Sequence, residues 1–153
     1  MPPAIVRVRS GELSDLDDLV ALEEQSFTSD RLSRAQFRRH LDSDSAKVLV
    51  ASTGPHRLLG TAVVFFRKRS GVARLYSIAA HHAARGQGVG SALLDAVEQL
   101  ARRRRCRALR LEVRADNAGA IRLYERLGYR RIAGLTKYYE DGADGWRYEK
   151  WLR

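Results

Sequence analysis

At 153 residues, with 44% hydrophobic and 30% charged residues, the chain has the size and composition of one globular domain with a single core, which excludes intrinsic disorder. No apolar run approaches the roughly 18 residues that cross a bilayer. The start, Met-Pro-Pro-Ala-Ile-Val-Arg, lacks the apolar stretch of a signal peptide. The single cysteine, Cys106, cannot form an internal disulfide, so a cytoplasmic protein is expected. The formal net charge is +10, unevenly placed. Seven acids (Glu12, Asp15, Asp17, Asp18, Glu23, Glu24 and Asp30) and no Lys or Arg fall between Gly11 and Asp30, leaving 28 basic against 11 acidic residues, or +17, elsewhere. A basic body suits an anionic partner, either nucleic acid or a phosphorylated small molecule.

Along the chain, Ile5 to Arg9 alternates apolar and basic residues, as a short strand does. Leu13, Leu16, Leu19, Val20, Leu22 and Phe27 recur at helical spacing, and Ser33 is placed to cap a second helix through Leu41. Lys47 to Ser52, Leu58 to Phe66 and Val72 to Ala80 read as three strands joined by short turns, an antiparallel meander. Next comes Arg85-Gly86-Gln87-Gly88-Val89-Gly90, entered from a strand and left by a helix. A helix start carries unpaired N–H groups and partial positive charge, so a glycine loop there is suited to phosphate.

The helix after the loop bears an apolar stripe of Val89, Ala92, Leu93, Ala96, Val97, Leu100 and Ala101, with Glu98 and Arg102 expected on its opposite side. Ala108 to Val113 is a compact strand. Asp116 or Asn117 can cap the next helix, which carries Ala120, Leu123, Tyr124 and Leu127 on one face and ends at Gly128. Tyr129 to Tyr139 and Gly145 to Leu152 read as a closing hairpin. The strand, glycine loop, helix and next strand form a β-α-β unit, whose crossover gives a parallel pair. The expected fold class is mixed α+β, with a mostly antiparallel central sheet, one parallel pair and helices on both faces. The whole chain, 1–153, is expected to be one domain.

The segment from Leu75 to Tyr129 resembles the acetyl-coenzyme A core of the GNAT superfamily of N-acetyltransferases. Arg85, Gly88 and Gly90 match the signature of the phosphate loop in order, and Asn117-Ala-Gly-Ala-Ile-Arg-Leu-Tyr124-Glu-Arg-Leu-Gly128-Tyr129 matches the second signature. Leu-Glu-Val-Arg before it and Lys-Tyr-Tyr after it are most similar to bacterial ribosomal-protein-alanine N-acetyltransferases. The resemblance implies that Arg85, Gly86, Gln87, Gly88, Val89, Gly90 and Ser91 hold the coenzyme pyrophosphate. It further implies that Ile78, Ala79 and Ala80 pair with pantetheine, one amide polarising the thioester carbonyl, and that Asn117 touches pantetheine, although this residue also suits a helix cap.

The implied reaction is direct acetyl transfer to an amine, which must lose a proton before it attacks. Glu112 shares a strand face with Arg110 and Arg114, opposite Leu109, Leu111 and Val113. It matches the catalytic glutamate of the ribosomal alanine enzymes and is the expected base, directly or through water; its alternative is an ion-paired surface carboxylate. Tyr124 is the expected acid toward the leaving thiolate, its alternative a core aromatic.

His81 and His82 replace the Asp-Pro pair of many relatives, and no third ligand at metal spacing accompanies them, so no metal is expected. Cys106 follows four arginines, which would lower its pKa if it were exposed. Arg102 to Arg105 with Arg107 could grip the coenzyme's 3′-phosphate or RNA, or form a solvated helix end. The acidic stretch is expected to attract an amine, with Tyr138 and Tyr139 walling the groove from the other side. However, Phe-Thr-Ser-Asp-Arg-Leu-Ser stands where the ribosomal alanine enzymes carry Pro-Trp-Ser. The expected partners are acetyl-CoA and an amine acceptor, first a protein N-terminus and second a small amine or lysine side chain, acting as monomer or homodimer without a membrane. A reading of another class is a basic module that senses coenzyme A or binds RNA without turnover; against it stands the absence of aromatics interleaved with the arginines.

Overall fold

The computed structural model describes residues 5–54, 57–84 and 86–152. β1 (Arg7–Ser10) leads through a 3-10 turn at Leu13–Asp15 into α1 (Leu16–Ser26), followed by α2 (Arg34–Leu41). A meander of β2 (Ala46–Gly54), β3 (Arg57–Phe65) and β4 (Val72–Ala80) comes next. After a second 3-10 turn at His82–Ala84 come α3 (Val89–Arg103), β5 (Ala108–Arg114), α4 (Ala118–Arg126), β6 (Arg130–Leu135) and β7 (Gly145–Trp151). The strands form one seven-stranded sheet in the order β1-β2-β3-β4-β5-β7-β6, antiparallel except for the β4–β5 pair. This is the mixed fold expected. The last strand lies between β5 and β6, and regular pairing of the closing hairpin stops at Leu135, so Tyr138 and Tyr139 sit in the β6–β7 loop rather than on a strand. Among the described residues no helix is long and apolar enough to cross a membrane.

Local chemistry sets the helix ends. Ser33 Oγ accepts from Gln36 N while Gln36 Oε1 accepts from Ser33 N, a reciprocal box that starts α2. Asn117 Oδ1 accepts from Ala120 N at 3.2 Å and starts α4. At the other end of α4, Gly128 takes φ +95°, Tyr129 N donates to Tyr124 O and Gly128 N to Glu125 O. That double closure reverses the chain within two residues and drops Tyr129 into the core. Its hydroxyl donates to Glu98 Oε2 at 2.8 Å, and Lys150 Nζ donates to Glu98 Oε1 at 2.9 Å. Glu98 is therefore buried on the inner side of α3, not on its outer side as its spacing from Arg102 suggested.

Two apolar layers result. Alternate residues of the strands (Leu49, Ala62, Val64, Leu75, Leu109, Leu111 and Val113) pack under α3 and α4. Val48, Val50 and Val63 point the other way, against Leu16, Leu19 and Phe37 of α1 and α2. The first two helices cover only the β2–β4 half of their face. The rest of that face presents Arg74, Arg110, Glu112, Arg147 and Glu149, paired across strands in the register Arg110–Glu149 and Glu112–Arg147.

The sheet splits in the middle. β4 and β5 pair in parallel only from Val72 with Ala108 to Leu75 with Leu111. Beyond that point β4 runs on to Ala80 and β5 to Arg114 without pairing to each other. A register shift on the β3 side, where Val63 faces Ser77 and Val64 faces Leu75, leaves Tyr76 as the extra residue. Such a bulge bends its strand and increases the twist, which turns the end of β4 away from β5.

Candidate active site

The glycine loop closes the far end of this split. Gly86 and Gly88 take φ +80° and +77°, and a Cβ at either would meet nothing within 4 Å, so open space lies beside backbone that disfavours a side chain. Gly88 is the N-cap of α3 and offers no capping side chain; the first helical bond runs from Ala92 N to Gly88 O at 2.9 Å. The N–H groups of Gly90 and Ser91 have no acceptor among the described residues. Gln87 N is bonded to Ala84 O and is not free. Val89 is buried under β3, and a Cβ at Gly90 would come 3.0 Å from Leu123 Cδ2, so these two residues serve packing. Arg85 lies outside the described residues. The donor set, the open cradle and the dipole of a 15-residue helix fit a diphosphate.

Along the split, His81 N donates to Leu59 O at 2.7 Å. Strand amides alternate in direction, so Ala79 N–H also faces β3, whereas those of Ile78 and Ala80 face the side where β5 has diverged. A main-chain donor toward the gap is thus available at two of the three expected positions. Gln25 of α1 reaches the turn after β4, with Nε2 3.1 Å from His81 Nε2, and Ala83 N donates to His81 Nδ1.

Tyr124 is 4% exposed, packed edge-on to Tyr129 at 5.9 Å and against Tyr148. Its hydroxyl makes no hydrogen bond among the described residues, yet it is not one of the sealed polar atoms without a partner, which are Glu23 Oε1 and Ser26 Oγ. Burial, reinforced by Tyr139, pushes the phenol well above its ordinary range, so it stays protonated. Tyr139 is itself pushed up to about 12, by burial first and then by Tyr138 and Glu112.

Glu112 stands on β5 where the parallel pairing ends, with a side chain 7% exposed. Arg74 Nε donates to its Oε1 at 2.9 Å, with Nη2 ion-paired to the same oxygen at 2.7 Å, and Arg147 Nε donates to Oε2 at 2.9 Å. Arg74 also donates to Tyr138 Oη at 3.1 Å. Sequence reading placed Glu112 but missed both arginines. Arg147 becomes its neighbour only through the β5–β7 register, and Arg74 only through the end of the parallel pair. Asn117 acts as the α4 cap, with its Nδ2 left over.

Other expectations change. Cys106 is half-buried, and burial raises its thiol despite Arg104 nearby, so the arginine run does not activate it. Arg102 donates to Leu152 O and Arg104 to Asp44 O, and Arg104 lies 4.2 Å over the Phe66 ring. The run sits at the C-terminal end of α3, about 20 Å along the helix from the glycine loop. In the acidic stretch Asp15, Asp17, Glu23 and Asp30 have internal partners, while Asp18 and Glu24 stay exposed. Arg9 holds Asp15 bidentately, Arg34 holds Asp17, and buried Glu23 accepts from Leu32 N. Asp30 Oδ2 accepts from Glu140 N at 3.3 Å, closing the α1–α2 connection against the β6–β7 loop.

Glu23 also provides a stability prediction. Burial raises its carboxyl above the ordinary value of 4.5, so the fold favours the neutral form. As pH rises through the ordinary value, the unfolded chain releases this proton first, and stability is lost up to the folded value. Glu23→Gln keeps an acceptor for Leu32 N and removes the charge. Its Tm at pH 7 is expected about 2–4 °C above the native chain, with the gain vanishing near pH 4. A lower Tm at pH 7, measured by thermal denaturation, would contradict this.

The sheet thus splits beside its one parallel pair, with Glu112 where that pairing ends and the glycine loop beyond the free end of β4. The chain belongs to the acetyltransferase (GNAT) family, whose profile matches residues 15–129. A stretch of 75 residues is 43% identical to an uncharacterized N-acetyltransferase of Methanocaldococcus jannaschii and covers 48% of this chain and 48% of that protein, about half of either. The ribosomal-protein-S18-alanine N-acetyltransferase of Escherichia coli superposes with a TM-score of 0.84 at 26% identity, over 97% of this chain and 94% of the other. Ard1 of Thermoplasma volcanium superposes with a TM-score of 0.86 at 28% identity, over 97% and 98%.

Proposed function

We propose that this protein is an acetyl-CoA-dependent N-acetyltransferase that moves the acetyl group directly to a primary amine, with a protein N-terminal α-amine as acceptor. The observation that carries the reading is the split between β4 and β5, with the open glycine cradle beyond the free end of β4 and the amides of Ile78 and Ala80 facing the gap. The Escherichia coli neighbour named for ribosomal-protein-S18-alanine acetylation supports the acceptor class. In this reading Gly88, Gly90 and Ser91 offer backbone donors to the coenzyme pyrophosphate, with Gly86, Gln87 and Val89 shaping the loop. Ile78 to Ala80 and Asn117 line the pantetheine arm.

The acceptor ammonium gives its proton to Glu112 through water, and the free amine attacks the thioester carbonyl. The C–N bond forms, and the amide of Ile78 or Ala80 supports the developing oxyanion. As the C–S bond breaks, the Tyr124 O–H gives its proton to the leaving thiolate, and the proton that the newly acetylated nitrogen releases restores the phenol. Arg74 and Arg147 hold the glutamate in one orientation and are positioning residues.

The test is release of free coenzyme A from acetyl-CoA with an Ala-starting peptide, a polyamine, or a lysine peptide with a blocked N-terminus. Turnover fastest with the Ala-starting peptide is expected. Preference for the polyamine or lysine peptide would move the acceptor class, and salt-sensitive RNA binding without turnover would replace the enzyme reading. Gly88→Val, which puts a branched side chain on left-handed backbone in the cradle, is expected to raise the KM for acetyl-CoA by about 100-fold or more, two factors of ten in binding. An unchanged KM would detach the loop from the coenzyme.

A further inference from the structure

A second concavity lies on the same face as Glu112, at the opposite end of β4 and β5 from the split. It has a volume of about 730 Å³, between α2, the β3–β4 turn and the first residues of β4 and β5. Arg39, Arg67, Lys68, Arg74 and Arg110 line it, and no Asp or Glu does. Arg74 is committed to Glu112 and Arg110 to Glu149, whereas Arg39, Arg67 and Lys68 have no carboxylate partner among the described residues. Like charges gathered in one concave site repel one another, and an anion relieves them there more than on a flat surface. Ser45 and Ser70 add hydroxyls to the same wall.

Arg74 belongs both to this cavity and to the Glu112 cluster, so an occupant of the cavity lies beside the place assigned to the reacting amine. Val72, two residues before Arg74 on β4, lines the cavity and marks its direction away from Glu112. A chain extended along that direction at about 3.3 Å per residue reaches the free cations some two to four residues after its first amine.

We propose that this basic cavity is an acceptor subsite for carboxylates, so that the acceptors are polypeptides with Asp or Glu a few residues after the acetylated α-amine. The inference rests on the polypeptide acceptor proposed above and adds its charge preference. A concave site continuous with the amine position suits one short acidic segment. The arginines at the end of α3 lie on the other face of the sheet and form no part of it.

The experiment compares two peptides that share their first two residues and carry Asp-Glu-Asp or Asn-Gln-Asn next, followed by coenzyme A release at low and high salt. The acidic peptide is expected to have a kcat/KM about tenfold or more higher, narrowing with salt. The combined variant R39Q/R67Q/K68Q, altered only at exposed side chains, should bring the ratio near one and leave the neutral peptide's rate unchanged. Arg38→Gln, the same charge loss on α2 outside the cavity, should keep the preference. Equal rates for both peptides, or a preference that survives the triple variant, overturns the proposal.

If neither peptide is turned over, the acceptor reading fails on its own, and binding of an N-acetylated fluorescent acidic peptide decides the subsite. Salt-sensitive binding lost in the triple variant supports it. Absence of binding, or displacement by an RNA oligonucleotide at lower concentration than by unlabelled peptide, overturns it.

Discussion

Tyr124→Phe is expected to lower kcat by about 100-fold while the KM for acetyl-CoA and the Tm stay near the native values. The ring does the packing, against Tyr129 and Tyr148, and phenylalanine retains it. The hydroxyl makes no hydrogen bond among the described residues, so its removal strands no partner and the fold has little to lose. Its burial holds it protonated, which makes it a standing donor to a thiolate. A loss confined to kcat, measured in steady state, marks an interaction made as the thiolate leaves. A Tm drop with unchanged kcat would return Tyr124 to the core.

Glu112→Gln is expected to lower kcat/KM by about 100-fold at pH 7, with the deficit shrinking as pH rises above 8. The slope follows from the substrate. A peptide α-amine has a pKa near 7.7–8.0. Below that range the enzyme must take a proton, and above it the amine arrives already free. Glutamine cannot take the proton but still accepts one hydrogen bond, so Arg74 and Arg147 keep part of their anchor. A pH-independent deficit would instead assign Glu112 to holding those arginines, and a melting curve on the same variant separates that role from misfolding.

What was legible in the chain was local. The glycine loop, the apolar stripe of α3, the Ser33 and Asn117 caps and the Gly128 reversal each sit within a few residues of their own cause. The second signature was also readable, because Tyr129 must sink into the core for α4 to present Tyr124. The strand content of 136–139 was over-read, since periodicity alone could not mark where β7 would stop pairing with β6. The setting of Glu112 lay beyond the sequence because Arg74 is 38 residues away and Arg147 is 35, and only the sheet register brings them together. The partners within the acidic stretch were hidden for a related reason. Arg9 and Arg34, which take up Asp15 and Asp17, flank the stretch in the chain and act on it only once folded.

The split between β4 and β5 also governs what else can reach the site. An outer strand invites any extended chain to add on, which is how sheets aggregate. This opening is bounded by strands on both sides. The opening leaves backbone donors unpaired inside the sheet, between two strands, without turning them into an outer edge that neighbouring molecules can extend.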